Sequence, residues 1–219
     1  KFTLGISTSR APIILPTVLK KYYKVYPNVN ISFYVEDTPV LEKRLLDGDI
    51  DMFIGVNTSY HQDVDITTLA SDEIMLIISS KLLHRQFDSK EIKKMQKGVD
   101  ITRFADIPFT GKVNRVIEEY LDYQNLHLNV VYNISDSETQ ILLCAAGICA
   151  SLCPRMLLST AFRHNLANDE SNQVYMLPIR NLNRPLRVDI ACHKNVIYPV
   201  YARKFIDILK EEVPRIAEE

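Results

Sequence analysis

The sequence of 219 residues carries no surplus charge of either sign: 26 basic against 27 acidic side chains leave a formal net charge of -1. DNA is held largely through counterion release by clustered lysine and arginine, and a chain without a summed positive field lacks that footing. This segment is therefore expected not to bind DNA by itself. Long apolar runs are absent too. No stretch reaches the roughly eighteen apolar residues of a membrane-spanning helix, and Lys1-Phe2-Thr3-Leu4-Gly5-Ile6 reads as a strand rather than the apolar core of a signal peptide. No membrane contact is expected. Cysteines number only four, and Cys144, Cys149 and Cys153 crowd one apolar stretch instead of spacing out as a disulfide framework or in Cys-x-x-Cys pairs. They are expected as buried small apolar side chains in a reducing cytoplasm. The five histidines, His61, His84, His127, His164 and His193, are scattered, and neither Gly-x-Ser-x-Gly nor His-Glu-x-x-His occurs. No catalytic residue, metal or cofactor is expected.

What is present is ample apolar material, 47% of residues, enough for a substantial core. Phe2 to Ile6 reads as a strand, Ser7-Thr8-Ser9 as helix-capping hydroxyls, and a helix with Pro12 in its first turn runs to about Tyr26. Leu15, Leu19, Tyr22, Tyr23 and Tyr26 recur at helical spacing, and Val29 to Val35 resumes as a strand. A second unit follows, with Thr38 as N-cap, Pro39 at the first position, Leu41 and Leu45 on one face, Gly48 as terminator and a strand from Ile50 to Val56. Such alternation favours a mostly parallel sheet covered by helices, an α/β fold.

Ile74 to Ile78 is short, branched and apolar, so a buried strand is expected. Lys81 to Gly98 is polar and basic, consistent with an exposed loop and short helix. A second lobe is then expected: strand and turn at Phe109 to Gly111, helix from about Asn114 to Tyr123, strand at Asn129 to Asn133, helix from about Glu138 to Ala146, strand around Ala150 to Leu152. Val174 to Ile179 and Leu186 to His193 read as strands, and Ala202, Phe205, Ile206, Leu209 and Val213 mark a final helix. The simplest arrangement returns the chain to the first lobe, so that residues 1–77 and 178–219 form lobe I and 78–177 form lobe II, with two crossover segments and a ligand cleft between the lobes.

Leu4-Gly5-Ile6-Ser7, Leu15-Pro16 through Tyr26-Pro27-Asn28-Val29, and above all Leu45-Leu46-Asp47-Gly48-Asp49-Ile50-Asp51-Met52-Phe53-Ile54-Gly55 resemble the effector-binding domain of LysR-type transcriptional regulators. Glu73 to Ser80, Phe104-Ala105-Asp106-Ile107-Pro108-Phe109 and Cys144 through Pro154 continue the similarity, with Cys149 where such proteins often have glycine. Essentially the whole chain is covered. The resemblance implies a type 2 periplasmic-binding-protein fold of two Rossmann-like lobes and a winged helix-turn-helix upstream, the only part expected to touch DNA. It also implies a homodimer or homotetramer, with an antiparallel dimer pairing the helix from Ala11 to Tyr26 and the following strand with second-lobe elements of the partner. Tyr22, Tyr23 and Tyr26 suit such an interface.

Ser7, Thr8 and Ser9 place three hydroxyls and backbone amides at a helix N-terminus, which fits either simple capping or an anion site. The resemblance favours an effector carboxylate or other anion there. Thr110, Gly111 and Lys112 look like the matching loop of the second lobe: a hydroxyl donor, a close backbone approach and a balancing cation, with a solvated turn as the alternative. In Ser135-Asp136-Ser137-Glu138 capping is the main expectation, with ligand contact at Ser135 or Asp136 as the other. Gly55, Val56 and Asn57 follow a strand at the carboxyl edge where open α/β sheets bind ligands. Asn57 is read as a side-chain contact or a turn residue. Asp47, Asp49 and Asp51 mimic the start of a calcium loop, but Met52 stands at its glycine position and Thr58 at its glutamate position, so metal is excluded. The resulting expectation is a non-enzymatic domain that senses a small, anionic effector by population shift. A transporter's solute-binding protein and a bilobal enzyme of prephenate dehydratase or deaminase type are the rivals.

Overall fold

The computed structural model describes residues 1–111, 115–158 and 173–218. The chain forms two units, one from Lys1–Asp72 with Leu186–Glu219 and one from Glu73–Pro185. In the first unit, β1 (Phe2–Ser7), α1 (Ala11–Val25), β2 (Ile31–Glu36), α2 (Thr38–Asp47), β3 (Met52–Val56) and β4 (Val64–Asp72) are joined by β10 (Leu186–His193) and α7 (Val200–Glu218), numbered in chain order. The sheet order is β2-β1-β3-β10-β4. β1 runs parallel to β2 and β3, while β10 is antiparallel to both its neighbours. Met52 through Gly55 are all buried, as a central strand covered on both faces requires. On one face, Leu41 and Leu45 of α2 pack with Ile50, Phe53, Val64 and Ala191. On the other, Phe2 and Tyr22 meet Phe205 edge-on at 5.5 and 5.1 Å, joining α1 to α7.

Several local expectations shift. The buried stripe of α1 is Ala11, Ile14, Val18 and Tyr22, not the Leu15, Leu19 and Tyr23 series. Tyr22 sets this phase by packing on Phe205 and donating to the Tyr201 carbonyl at 3.0 Å, which leaves Tyr23 67% exposed. Helix α2 is preceded by Asp37 at the N-cap, and Thr38 is its first helical residue. Gly48 ends it at φ +79, a left-handed position that glycine adopts without strain. In α7, Ile208 rather than Ile206 joins Ala202, Phe205, Leu209 and Val213 in the core.

The second unit comprises β5 (Ile74–Ser79), α3 (Ser80–Leu83), α4 (Ser89–Met95), β6 (Phe109–Thr110), α5 (Arg115–Tyr123), β7 (Val130–Tyr132), α6 (Ser137–Ala145), β8 (Ser151–Pro154) and β9 (Val174–Pro178). β5 is the centre of an antiparallel β8-β5-β9 sheet, and β6 pairs with β7 in parallel. The divisions at 77/78 and 177/178 therefore move to 72/73 and 185/186. The physical reason is that β5 pairs with β8 and β9 within this unit, and Ile179 bridges Val99. Residues 81–98 are less exposed than their polarity suggests, since Leu82, Leu83, Phe87, Ile92 and Met95 are buried. Cys144, Cys149 and Cys153 lie in one core cluster with Met75, Ile77, Ile141 and Leu158.

Candidate functional site

The carboxyl ends of β1 and β3 lie side by side, since the parallel register runs to Ile6 opposite Ile54, one residue short of Ser7 and Gly55. At Ser7 the chain turns sharply, with the Arg10 amide donating to the Ser7 carbonyl at 2.9 Å, and the Thr8 amide reaches the Glu36 carbonyl at 3.3 Å. Thr8 is exposed and Ser9 half-buried. None of the three hydroxyls caps α1: the N-cap position belongs to Arg10, and no side chain makes a capping bond there. The Ser7 hydroxyl, in a residue 5% exposed, is buried with no hydrogen-bond partner among the described residues.

Beyond β3 a second loop is held just as firmly. A Cβ on Gly55 would lie 2.7 Å from Phe53 Cε2, 2.9 Å from Thr38 Cγ2 and 3.0 Å from Thr58 Oγ1, so only glycine fits. Thr38 Oγ1 accepts the Val56 amide at 3.0 Å. Asn57 stands at φ +50, as its reading as a turn residue has it: its Oδ1 accepts the Arg187 amide at 2.8 Å and its own amide donates to the Arg187 carbonyl at 2.9 Å. The side chain extends the β3–β10 pairing. Next to it is Thr58, whose amide donates to the buried Asp189 carboxylate at 3.0 Å. Asp189 also accepts the Thr68 hydroxyl at 2.8 Å, and Arg187 Nη2 donates to the Thr58 carbonyl at 2.9 Å. Thr58 is 3% exposed, and its hydroxyl is likewise buried without a hydrogen-bond partner among the described residues. Each such orphan costs about 1–3 kcal/mol. Both lie on loops that follow strands at the carboxyl edge of the sheet, the place where open α/β sheets bind ligands.

Arg10 is the residue that sequence reasoning missed. Its side chain is 1% exposed and its Nη2 lies 2.6 Å from Asp72 Oδ2, itself 0% exposed. A lone cation opening an apolar helix was the available signal. Two of the three acids have structural employment: Asp51 accepts the Thr3 amide at 2.6 Å and Asp49 pairs with Arg44 at 3.4 Å. Among the described residues no group of three or more His, Cys, Asp or Glu side chains could hold a metal.

In the second unit, Thr110 is buried and occupied: its hydroxyl donates to the Tyr132 carbonyl at 3.1 Å and its amide to the Ala150 carbonyl at 2.8 Å. Gly111 sits at φ +134, where a Cβ would lie 3.1 Å from Gln140 Oε1. Gln140, buried on α6 and also unanticipated, donates to the Ile134 carbonyl at 2.6 Å and accepts the Ser151 hydroxyl at 3.0 Å. It thus ties the Gly111 turn to the segment carrying Ser135. Ser135 is exposed. Asp136 caps α6, accepting the Thr139 hydroxyl at 2.5 Å and the Thr139 amide at 2.8 Å, and these bonds hold its carboxyl below the usual range. Lys112 lies outside the described residues. The cavity beside Thr110 and Gly111 measures about 20 Å³, room for about one water.

Residues 1–214 match the family described as LysR substrate binding domain. The chain belongs to this family. A probable RuBisCO transcriptional regulator from Trieres chinensis is 28% identical over 143 residues, covering 62% of the chain and 45% of that protein. The chain thus spans under half the length of this relative. The effector binding domain of QuiR, solved in complex with shikimate, superposes with a TM-score of 0.73 at 15% identity, covering 96% of this chain and 95% of that one. The BenM effector binding domain with its effector benzoate gives 0.72 at 17%, covering 96% and 90%. The fold of this LysR substrate binding domain is accordingly of the type 2 periplasmic-binding-protein class, mixed α/β. Among the described residues no helix is long and apolar enough to cross a membrane.

Proposed function

We propose that this LysR substrate binding domain is the sensing part of a transcriptional regulator and binds a small anionic effector at the carboxyl edge of its first unit. The carrying observation is the pair of buried, unsatisfied hydroxyls of Ser7 and Thr58. Ser7, Thr8, Ser9 and Gly55 remain the proposed contacts, and Thr58 stands in place of Asn57, whose side chain is bonded to the Arg187 amide; the buried Arg10–Asp72 pair fixes the loop beside them. The second unit offers candidate contacts at Thr110, Gly111 and Ser135. Carboxylates are named as ligands of the QuiR and BenM domains, which supports an anion here. The effector acts by binding one conformation more tightly than another and shifting their populations, without turnover. DNA is contacted by a helix-turn-helix module elsewhere in a cytoplasmic protein. Copies pair through the face of α1 and β2, where Tyr23, Val25, Tyr34 and Val35 are exposed.

Isothermal titration with benzoate and shikimate, against benzamide as the uncharged control, tests the site. Ser7→Ala and Thr58→Val are each expected to weaken carboxylate binding by about tenfold, the worth of one hydrogen bond to a charged group. Equal binding of benzamide, or unchanged affinity in both variants, would overturn the reading. Light scattering that shows a strict monomer at high concentration would overturn the pairing.

A further inference from the structure

We propose that the second unit carries a second small-molecule site, a cavity between α4 and the turn after β9 that takes a monocarboxylate with an apolar body. The cavity holds about 290 Å³ and shares no lining residue with Ser7, Thr58 or the Thr110–Gly111 cavity. That volume is at the lower end of ligand pockets, about 300 Å³ upward. Its floor is apolar, formed by the buried Met95, Val99 and Phe104. Around the floor stand Lys94, Arg103 and Arg180 against Glu91 and Asp100, which leaves one positive charge in excess.

The acids are already committed. Glu91 receives Arg103 Nη2 at 2.9 Å and completes the Asp88 capping box of α4. Asp100 accepts the Thr102 hydroxyl at 2.7 Å and the Thr102 amide at 3.0 Å. The guanidinium of Arg103 is further steadied 4.8 Å from the Phe87 ring centre. Arg180 lies across Gly98, which stands at φ +118 and whose Cβ would come 3.2 Å from Arg180 Cγ. Main-chain bonds of 2.8 Å from Val99 to Pro178 and from Arg180 to Val99 fix this crossing, and Tyr120 Oη donates to the Arg180 carbonyl at 3.0 Å. An apolar floor beneath pre-positioned cations, whose acidic neighbours are occupied, is complementary to a carboxylate on an apolar body.

The test titrates the full ¹⁵N-labelled chain with 3-phenylpropanoate, 3-phenylpropanamide and phenylalanine, following amide shifts. Saturable shifts are expected at Gly98, Val99 and Arg180 for the carboxylate. The amide, and the exposed-residue variants Arg180→Ala and Arg103→Ala, should each bind about tenfold more weakly, while Ser7→Ala leaves these shifts unchanged. Phenylalanine should bind no tighter than the carboxylate, because Glu91 is already paired with Arg103 and Asp100 already accepts two bonds from Thr102. The proposal is overturned by absence of shifts at millimolar probe, by shifts centred elsewhere, by equal binding of the amide, by tighter binding of phenylalanine, or by arginine variants of unaltered affinity.

Discussion

Substituting Asp72 by asparagine removes the carboxylate held 2.6 Å from Arg10, where the two side chains are 1% and 0% exposed. Two unit charges about 4 Å apart attract by about 4 kcal/mol at an effective dielectric constant of about 20. Breaking a buried pair by removing one partner costs about 3–5 kcal/mol, since the remaining charge loses the compensation that this partner supplied. Against a typical total of about 5–15 kcal/mol, that is a large share of stability. Asp72 ends β4 opposite Leu186, the first residue of β10, so the loss falls where the chain leaves and re-enters the first unit. Arg10→Met should cost a similar amount, whereas Arg10→Met with Asp72→Leu, which removes both charges and keeps apolar bulk, should stay within about 2 kcal/mol of the native chain. Native-state hydrogen exchange at the Ile6, Ile54 and Ile190 amides reads the stability of this unit without relying on a single transition for the whole chain. A D72N loss below about 1 kcal/mol, the scale of an exposed ion pair, or a double variant as unstable as the sum of its singles, would refute the assignment of a buried, coupled pair.

Three further outcomes are expected. Asp136→Ala should cost about 1 kcal/mol of cap stability; because the folded carboxyl titrates below its unfolded value, that contribution is full above the ordinary aspartate range and fades as pH falls through the lowered folded value, so urea midpoints of variant and native chain should converge at acid pH. Burial pushes the Tyr22 phenol up to about 12, so it favours folding below the ordinary tyrosine value and loses that contribution as pH rises through the folded one. Ultraviolet titration of Tyr22→Phe should lack one late-ionising phenol, and urea unfolding should show a loss of about 1 kcal/mol with the bond to Tyr201. Gly55→Ala forces a Cβ within 3.0 Å of Phe53, Thr38 and Thr58; it should cost about 1–3 kcal/mol by overpacking and weaken benzoate binding in calorimetry, and a variant that melts and binds as the native chain does would exclude that role for the glycine.

The elements that could be read from sequence are those whose cause is local. Gly48 ends α2 because the chain must turn left-handed there, and the β3 run is apolar throughout because both its faces are covered. β4 escaped because it is an edge strand with β10 as its neighbour, and Asp65, Thr67, Thr68 and Ser71 on it resemble a loop. The phase of α1 was misplaced because Tyr22 is drawn in by Phe205 from the far end of the chain, a contact that periodicity does not contain. Partners distant in sequence also decide the site. Arg10 and Asp72 are 62 positions apart, and Asn57 and Arg187 are 130 apart. A short polar side chain near helix amides is read as a cap by default, and for Ser7 that default fails only because Arg10 takes the N-cap position. Thr58 is the converse case. Nothing in its local sequence separates it from any loop threonine, yet Asp189 draws its amide inward and the fold buries its hydroxyl unsatisfied. Residue type could propose Ser7 but not Thr58; what makes both candidates is the hydrogen bond the fold leaves unmade, and that can be recognised only after every neighbouring donor and acceptor has found its partner.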